Sequence, residues 1–183
     1  MKQIRKNVFE TNSSSTHSIC ISKKPVVIGK NIYFGIGEFG WENDCVDTAD
    51  YLYTAILEQD NSDDLLDKLK GMLDQHSIEY TFERPRFHIS DDGKYKWLDY
   101  GYIDHSYELK EFVDAILSDE DLLMRYLFGD SRVYTGNDNQ DDVPDGCNIA
   151  EEYYYAEDEN GKYGQMVNPY HDPENYDYFF KGN

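Results

Sequence analysis

Basic side chains and cysteine are both scarce here, with 17 Lys or Arg and three cysteines in 183 residues. Three is an odd count and too few for a disulfide framework, so Cys20, Cys45 and Cys147 read as free thiols or metal ligands in a reducing compartment. Long apolar runs are missing as well. Met1-Lys2-Gln3-Ile4-Arg5-Lys6 has the charge of a signal peptide's first segment, but no run of seven or more apolar residues follows it. Nothing is long enough to span a bilayer, and a reducing cytoplasm is expected.

The shortage of cations meets 37 carboxylates, for a formal charge of −20. Residues 1–30 hold six Lys/Arg and only Glu10, whereas residues 136–183 hold twelve Asp/Glu against Lys162 and Lys181. Half of the surplus therefore sits in the last quarter. Such a surface repels nucleic-acid phosphates and argues against backbone binding by the chain as a whole. It would attract a basic groove on another protein and speed encounter with it; the plainer alternative is that the charge only keeps the protein dissolved.

Abundant aromatics, 17 Tyr and 9 Phe, supply apolar area for a core without staples, so a folded chain is expected rather than a disordered one. The pattern predicts one α+β domain over residues 1–183, with antiparallel strands, about four amphipathic helices, and a more acidic loop, hairpin and tail over 136–183. Ile19 and Ile21 alternate, and Val26-Val27-Ile28 reads as a second short strand after Pro25. The stretch 32–40 is a glycine-rich strand or bulged strand pair. Its Gly35-x-Gly37-x-x-Gly40 spacing matches a dinucleotide fingerprint by letter, but no helix opens at it and no βαβ unit is evident around it.

Helical spacing follows in Ala49, Leu52, Tyr53 and Ile56, then in Leu65, Leu66, Leu69, Met72 and Leu73 with Asn61 or Ser62 as cap. Residues 78–103 read as extended, turning at Asp92-Gly93 into Tyr95-Lys96-Trp97-Leu98. Leu109, Phe112, Val113, Ile116 and Leu117 mark a third helix, and Ser118-Asp119-Glu120-Asp121 resembles a capping box opening a fourth through Leu127. A short strand is expected at Arg132-Val133-Tyr134 before an Asn/Asp/Gly-rich loop. Glu151 to Tyr155 can pair with Tyr163 to Val167 through Glu159-Asn160-Gly161-Lys162, because Asn-Gly tolerates the positive φ of a tight turn. The tail ending in Tyr178-Phe179-Phe180 has no clear period and reads as a docking tail or a segment awaiting a partner.

Several blocks then carry a resemblance: Asn7-Val8-Phe9-Glu10-Thr11-Asn12-Ser13-Ser14-Ser15-Thr16-His17-Ser18, Phe39-Gly40-Trp41-Glu42, Gly101-Tyr102-Ile103-Asp104-His105-Ser106, Arg125-Tyr126-Leu127-Phe128 and Thr135-Gly136-Asn137-Asp138-Asn139. Together they resemble a group of small proteins from phages and prophages of Gram-positive bacteria. The blocks span about residues 5–140 and imply a phage origin more firmly than an activity. The chain is also similar to a metal-containing anti-CRISPR protein that acts against the type II RNA-guided nuclease, a likeness without an alignment of motifs.

Zinc is one candidate ligand. His17-x-x-Cys20 is a close His/Cys pair, Asp104-His105 a possible second contribution, and Cys45 and Cys147 lie in polar loops. Against this, Cys20 reads equally as a small buried strand residue and the other thiols as incidental. His17, Glu42, Asp104, His105 and Asp138 could alternatively gather a divalent ion for phosphodiester hydrolysis, and Ser13, Ser14 or Ser15 could pair with His17 as nucleophile and base. A serine run before a His is more commonly a hydrogen-bonded turn. The carboxylates at 138–145 lack EF-hand alternation and read as a solvated loop.

The expectation drawn from these residues is an inhibitor that binds rather than reacts, with a metal-dependent phosphodiester hydrolase as the alternative. Asp141, Asp142, Asp145, Glu151, Glu152, Glu157, Asp158 and Glu159 would stand in for phosphates, with Tyr153, Tyr154 and Tyr155 as anchors. The partner would be a basic nucleic-acid-binding protein, the type II RNA-guided nuclease first, because its guide and target channel is strongly positive.

Overall fold

The computed structural model describes residues 2–3, 15–40, 44–137, 152–157, 160–169 and 171–182. The strands of the N-terminal half are β1 (Lys2–Gln3), β2 (Ser15–Ser22), β3 (Asn31–Phe34), β4 (Glu38–Phe39) and β5 (Asp44–Val46). Two helices follow, α1 (Thr48–Leu57) and α2 (Ser62–Gln75), then β6 (Glu79–Phe82), β7 (Phe87–Ile89), β8 (Tyr95–Leu98) and β9 (Tyr102–Ile103). A 3₁₀ turn at Ser106–Leu109 leads into α3 (Lys110–Ile116) and α4 (Glu120–Phe128). The chain closes with β10 (Arg132–Asn137), β11 (Tyr153–Glu157), β12 (Tyr163–Val167) and β13 (Tyr176–Gly182). The architecture is α+β with four α-helices, as the sequence pattern indicates. None of these helices is long and apolar enough to cross a membrane.

The principal sheet has the antiparallel order β13-β2-β10-β5. Strand alternation places His17, Ile19 and Ile21 of β2 on its helix-covered face and Ser18, Cys20 and Ser22 on the other. Ile19, Ile21 and Val133 pack there with Leu52, Ile56, Phe112, Ile116 and Leu123 of the helices in one apolar cluster. Tyr51, Tyr53 and Tyr126 join that core. Burying their rings requires partners for the hydroxyls: Tyr53 donates to the Glu83 carbonyl at 2.8 Å and Tyr126 to the Thr48 carbonyl at 2.8 Å.

Caps and turns fix the ends of these elements. Asp47 caps α1, accepting from the backbone N–H of Ala49 and Asp50. Asp119, not Ser118, caps α4 and accepts from Leu122 N–H at 3.0 Å. Asn61 occupies the cap position of α2 without a side-chain bond, while Asp63 and Asp64 lie in the first turn where the dipole favours anions. Arg125 of α4 ties the helix to the sheet, donating to the Ser22 carbonyl at 2.9 Å and the Asp177 carboxylate at 2.7 Å.

Two expectations differ from what forms, and a third, the docked reading of the tail, takes a definite shape. Val26–Ile28 is not a strand: Pro25 precedes it, it joins no ladder among the described residues, and Val27 stands in solvent. The glycine-rich stretch is two short strands, and β3 pairs in parallel with β6 while β4 pairs in parallel with β9. Because α1 and α2 lie between β3 and β6, a parallel crossover does surround the glycines, contrary to the expectation of none; the pairing joins strands far apart in the chain. The C-terminal tail is the edge strand β13, with Phe180 beside Ile19 and Phe179 beside Cys20.

Both expected hairpins form. β7 and β8 are antiparallel across the Asp92-Gly93 turn, and β11 pairs with β12 from Tyr153↔Val167 to Glu157↔Tyr163. Gly161 in the second turn has φ +73°, the left-handed conformation that glycine adopts without a Cβ penalty.

Candidate functional site

Segments from four of the sequence blocks named above meet around His17. β2 carries Ser15 and His17; β4 delivers Phe39 and Gly40; β9 delivers Asp104; and β10 sets Thr135 opposite His17 in the ladder. Asp104 N–H donates to the Phe39 carbonyl at 3.0 Å, which holds the two parallel strand ends together. Gly40 has φ +119°, and a Cβ there would meet the Asp104 Cβ at 2.8 Å and the Ser15 Cβ at 3.2 Å. Any side chain at Gly40 would therefore push these two segments apart.

His17 is buried, and protein groups face both ring nitrogens. Nε2 lies 2.8 Å from the Asp104 main-chain carbonyl and 3.1 Å from Ser15 Oγ, while Nδ1 lies 3.0 Å from the Tyr51 hydroxyl. The carbonyl can only accept, so the Nε2 proton is directed at it. Burial raises the Tyr51 pKa well above its ordinary 10.0, keeping the phenol protonated and able to donate to Nδ1. A protonated Nε2 cannot take a proton from Ser15, so this Ser–His contact is not a nucleophile–base pair. The cluster works chemically as a polar staple joining β2, α1 and the end of β9.

The metal-ligand expectation meets a geometric obstacle in β2. Positions three apart on a strand face opposite sides, so His17 points to the helices and Cys20 to the other face, where Tyr134, Tyr176 and Phe179 surround it. Burial pushes the Cys20 thiol pKa up, away from the thiolate a metal requires. Cys45 shares the face of Cys20 but lies two strands away, about 10 Å by sheet spacing, too far for two sulfurs each about 2.3 Å from one ion. Neither is in a disulfide among the described residues. His105 follows Asp104 at the start of the 3₁₀ turn with φ 56°, and its Nε2 is 3.9 Å from the Asp104 carboxylate.

Among the described residues no group of three or more His, Cys, Asp or Glu side chains is arranged to hold a metal ion. Cys147, Glu42 and Asp138 lie outside the described residues. For the hydrolase alternative, the ring nitrogens of His17 face the groups named above, and its contact with residue 104 is to the carbonyl rather than the carboxylate.

The glycine loop between β3 and β4 is likewise closed by its own chain. Gly35 N–H donates to Asp50 at 2.5 Å, Ile36 N–H to Glu83 at 3.0 Å and Gly37 N–H to Thr54 at 3.2 Å. Three successive amides that could cradle a phosphate are thus held by internal acceptors, in line with setting the fingerprint aside. Tyr100 also donates to Glu83, at 2.6 Å; that bond and the Ile36 amide hold the Glu83 carboxyl below its ordinary range. Asp50 is moved the other way, chiefly by burial, with repulsion from Asp47 and Glu83 adding to it.

The acidic ribbon contrasts with these closed clusters. β11 and β12 form a two-stranded sheet of their own, and Glu152, Tyr153 and Glu157 are exposed. Tyr154 and Tyr155 occupy ladder positions opposite Met166 and Gln165. Asp141, Asp142, Asp145, Glu151, Asp158 and Glu159 lie outside the described residues. Sequence reasoning expected this hairpin between Glu151–Tyr155 and Tyr163–Val167; the first strand instead runs Tyr153–Glu157, and the contact residues named for the ribbon left out Tyr163, Gln165 and Val167, which are exposed while Gly164 and Met166 are half-buried. Tyr163-Gly164-Gln165-Met166-Val167 does not alternate apolar with polar residues, so the outward face shows only in the alternating exposure of the strand. Tyr51 was overlooked as the partner of His17, having only the helical spacing of a core residue.

Comparison with protein-family models, with curated proteins and with solved structures gives no match to this chain.

Proposed function

We propose that this protein is a phage-encoded inhibitor that binds a basic surface of a nucleic-acid-handling protein in the cytoplasm of a bacterial host. The first candidate partner is the type II RNA-guided nuclease. One observation carries this reading: carboxylates and tyrosines are exposed together on the self-paired ribbon, whereas the Ser15–His17 contact is buried in a hydrogen-bond arrangement that does not suit base catalysis. A surface of charge −20 is drawn to a channel built for phosphates, and its tyrosines supply apolar contact there without a long flexible side chain. The glycine loop is occupied by its own carboxylates and offers no competing phosphate site.

The test titrates the purified chain against the nuclease loaded with guide RNA, reading cleavage of a target duplex. Inhibition that saturates at a fixed ratio and reverses on dilution supports the reading. Inhibition by a trace amount that grows with time and leaves a cleaved or covalently altered product overturns it in favour of the hydrolase. Absence of any effect removes this nuclease as the partner.

A further inference from the structure

The ribbon is two-faced. Cross-strand register puts Tyr153 opposite Val167 and Glu157 opposite Tyr163, all on one side, with Gln165 between Tyr163 and Val167. Tyr153, Tyr163 and Val167 are 44%, 67% and 70% exposed. They are half of the six large hydrophobic residues exposed among the described residues, gathered on a patch only five residues long. The opposite side, with Gly164 and Met166, is half-buried. Scattered exposed apolar residues are ordinary, but a cross-strand group of them beside carboxylates has the composition of a contact surface.

We infer that this face of β11–β12 is the docking surface, and that its occupant is an extended protein segment carrying large apolar side chains and, about four residues on along the same face, a Lys or Arg. The inference rests on the inhibitor reading for its biological setting but not for its chemistry. The charge match comes from Glu157 within the face and Glu152 at its end, whose carboxylate accepts from the Tyr153 hydroxyl. The spacing match comes from the strand repeat. Same-face residues of a strand lie about 7 Å apart, so the Tyr153–Val167 and Glu157–Tyr163 pairs are two such repeats from each other. A partner segment in extended conformation has the same repeat and can set apolar groups on the first pair while a cation reaches Glu157. Tyrosine suits this role because it buries a rigid ring and keeps its hydroxyl at the wet edge.

The experiment measures fluorescence anisotropy of a labelled eight-residue Lys–Leu peptide, with Leu at positions 1 and 3, Lys at positions 5 and 7 and Ser elsewhere, titrated with the full chain, against a control peptide with Ser in place of both Leu. The Lys–Leu peptide should bind saturably and the control about ten-fold more weakly. The double variant Tyr163→Thr with Val167→Thr, which keeps strand-forming side chains, should weaken Lys–Leu binding about ten-fold, whereas Met166→Thr on the other side should change it less than about two-fold. Amide exchange at 153–157 and 163–167 reports whether each variant keeps the ribbon. If the double variant loses it, Glu157→Gln decides instead, with weaker binding and a flatter salt dependence expected. Equal affinity for both peptides, equal damage from Met166→Thr, or unchanged binding in the face variants would overturn the proposal. Failure here with saturable inhibition of the nuclease would reject the face and keep the inhibitor reading; the reverse pattern would keep the face and reject that target.

Discussion

Around His17, aromatic rings and polar groups are enclosed and the Ser15 and Tyr51 hydroxyls have partners, while on the β11–β12 ribbon similar residue types face water. Tyr51 reaches His17 and Tyr126 reaches the Thr48 carbonyl inside the core, yet Tyr153 and Tyr163 stand exposed beside Glu152 and Glu157. The difference teaches that tyrosine content alone does not mark a binding surface. What marks it is whether the ring sits on a helix stripe facing the sheet or on the outward side of an isolated ribbon. The two regions should therefore fail in different ways: damage at the first should cost stability, and damage at the second should cost association.

The largest expected effect tests the enclosed region. Phe112, buried against Tyr51 and Tyr126, should lose about 3–5 kcal/mol of folding stability as Phe112→Ala, because the cavity adds to the lost transfer energy. Urea unfolding followed by circular dichroism measures this. His17→Ala should follow at about 2–4 kcal/mol, since it strands the Tyr51 hydroxyl and the Asp104 carbonyl in a dry site. A zinc chelator should leave the wild-type melting temperature unchanged if the hydrogen-bonded staple, and not an ion, is what His17 supplies; a fall of several degrees would reverse that assignment.

The ribbon should respond more mildly in stability. Gly161→Ala should cost about 1 kcal/mol, entirely from the positive φ, because a Cβ there meets no atom within 4 Å. Amide exchange confined to β11 and β12 would show it. Glu152→Gln with Glu157→Gln should shift the melting temperature little but slow association with a basic partner and flatten its dependence on salt, as stopped-flow at two ionic strengths would report.

The glycine loop gives the smallest and most pH-specific effect. Glu83 has its folded pKa lowered from 4.5, so its contribution is fully present above that value and is lost as pH falls through the lower folded one. Asp50 is raised from 3.8, so the fold holds its proton more tightly and acidification through the raised value relieves a penalty. The two oppose each other across acidic pH. Asp50→Asn keeps an acceptor for Gly35 and removes like-charge repulsion, so it should leave stability at pH 7 unchanged or raised and steepen the acid loss belonging to Glu83. Urea midpoints measured from pH 3 to pH 7 would check the sign.

Local chemistry was sufficient for much of this fold. Apolar spacing in Leu65, Leu69 and Leu73, the acidic first turns of α2 and α4, and the Asp92-Gly93 and Asn160-Gly161 turns each act within a few residues, so the helices and both hairpins were legible from the sequence alone. Alternation through Ser15, His17, Ile19 and Ile21 also contained the answer to the zinc pairing, because a strand turns His17 and Cys20 away from each other. Only the tertiary structure decided that β13 lies beside β2, that β3 and β4 pair in parallel with β6 and β9, and that Tyr51 and the Asp104 carbonyl meet His17 from 34 and 87 residues away. Those contacts are chosen by which buried faces and backbone groups satisfy one another after collapse, and no property of a short window along the chain carries that information.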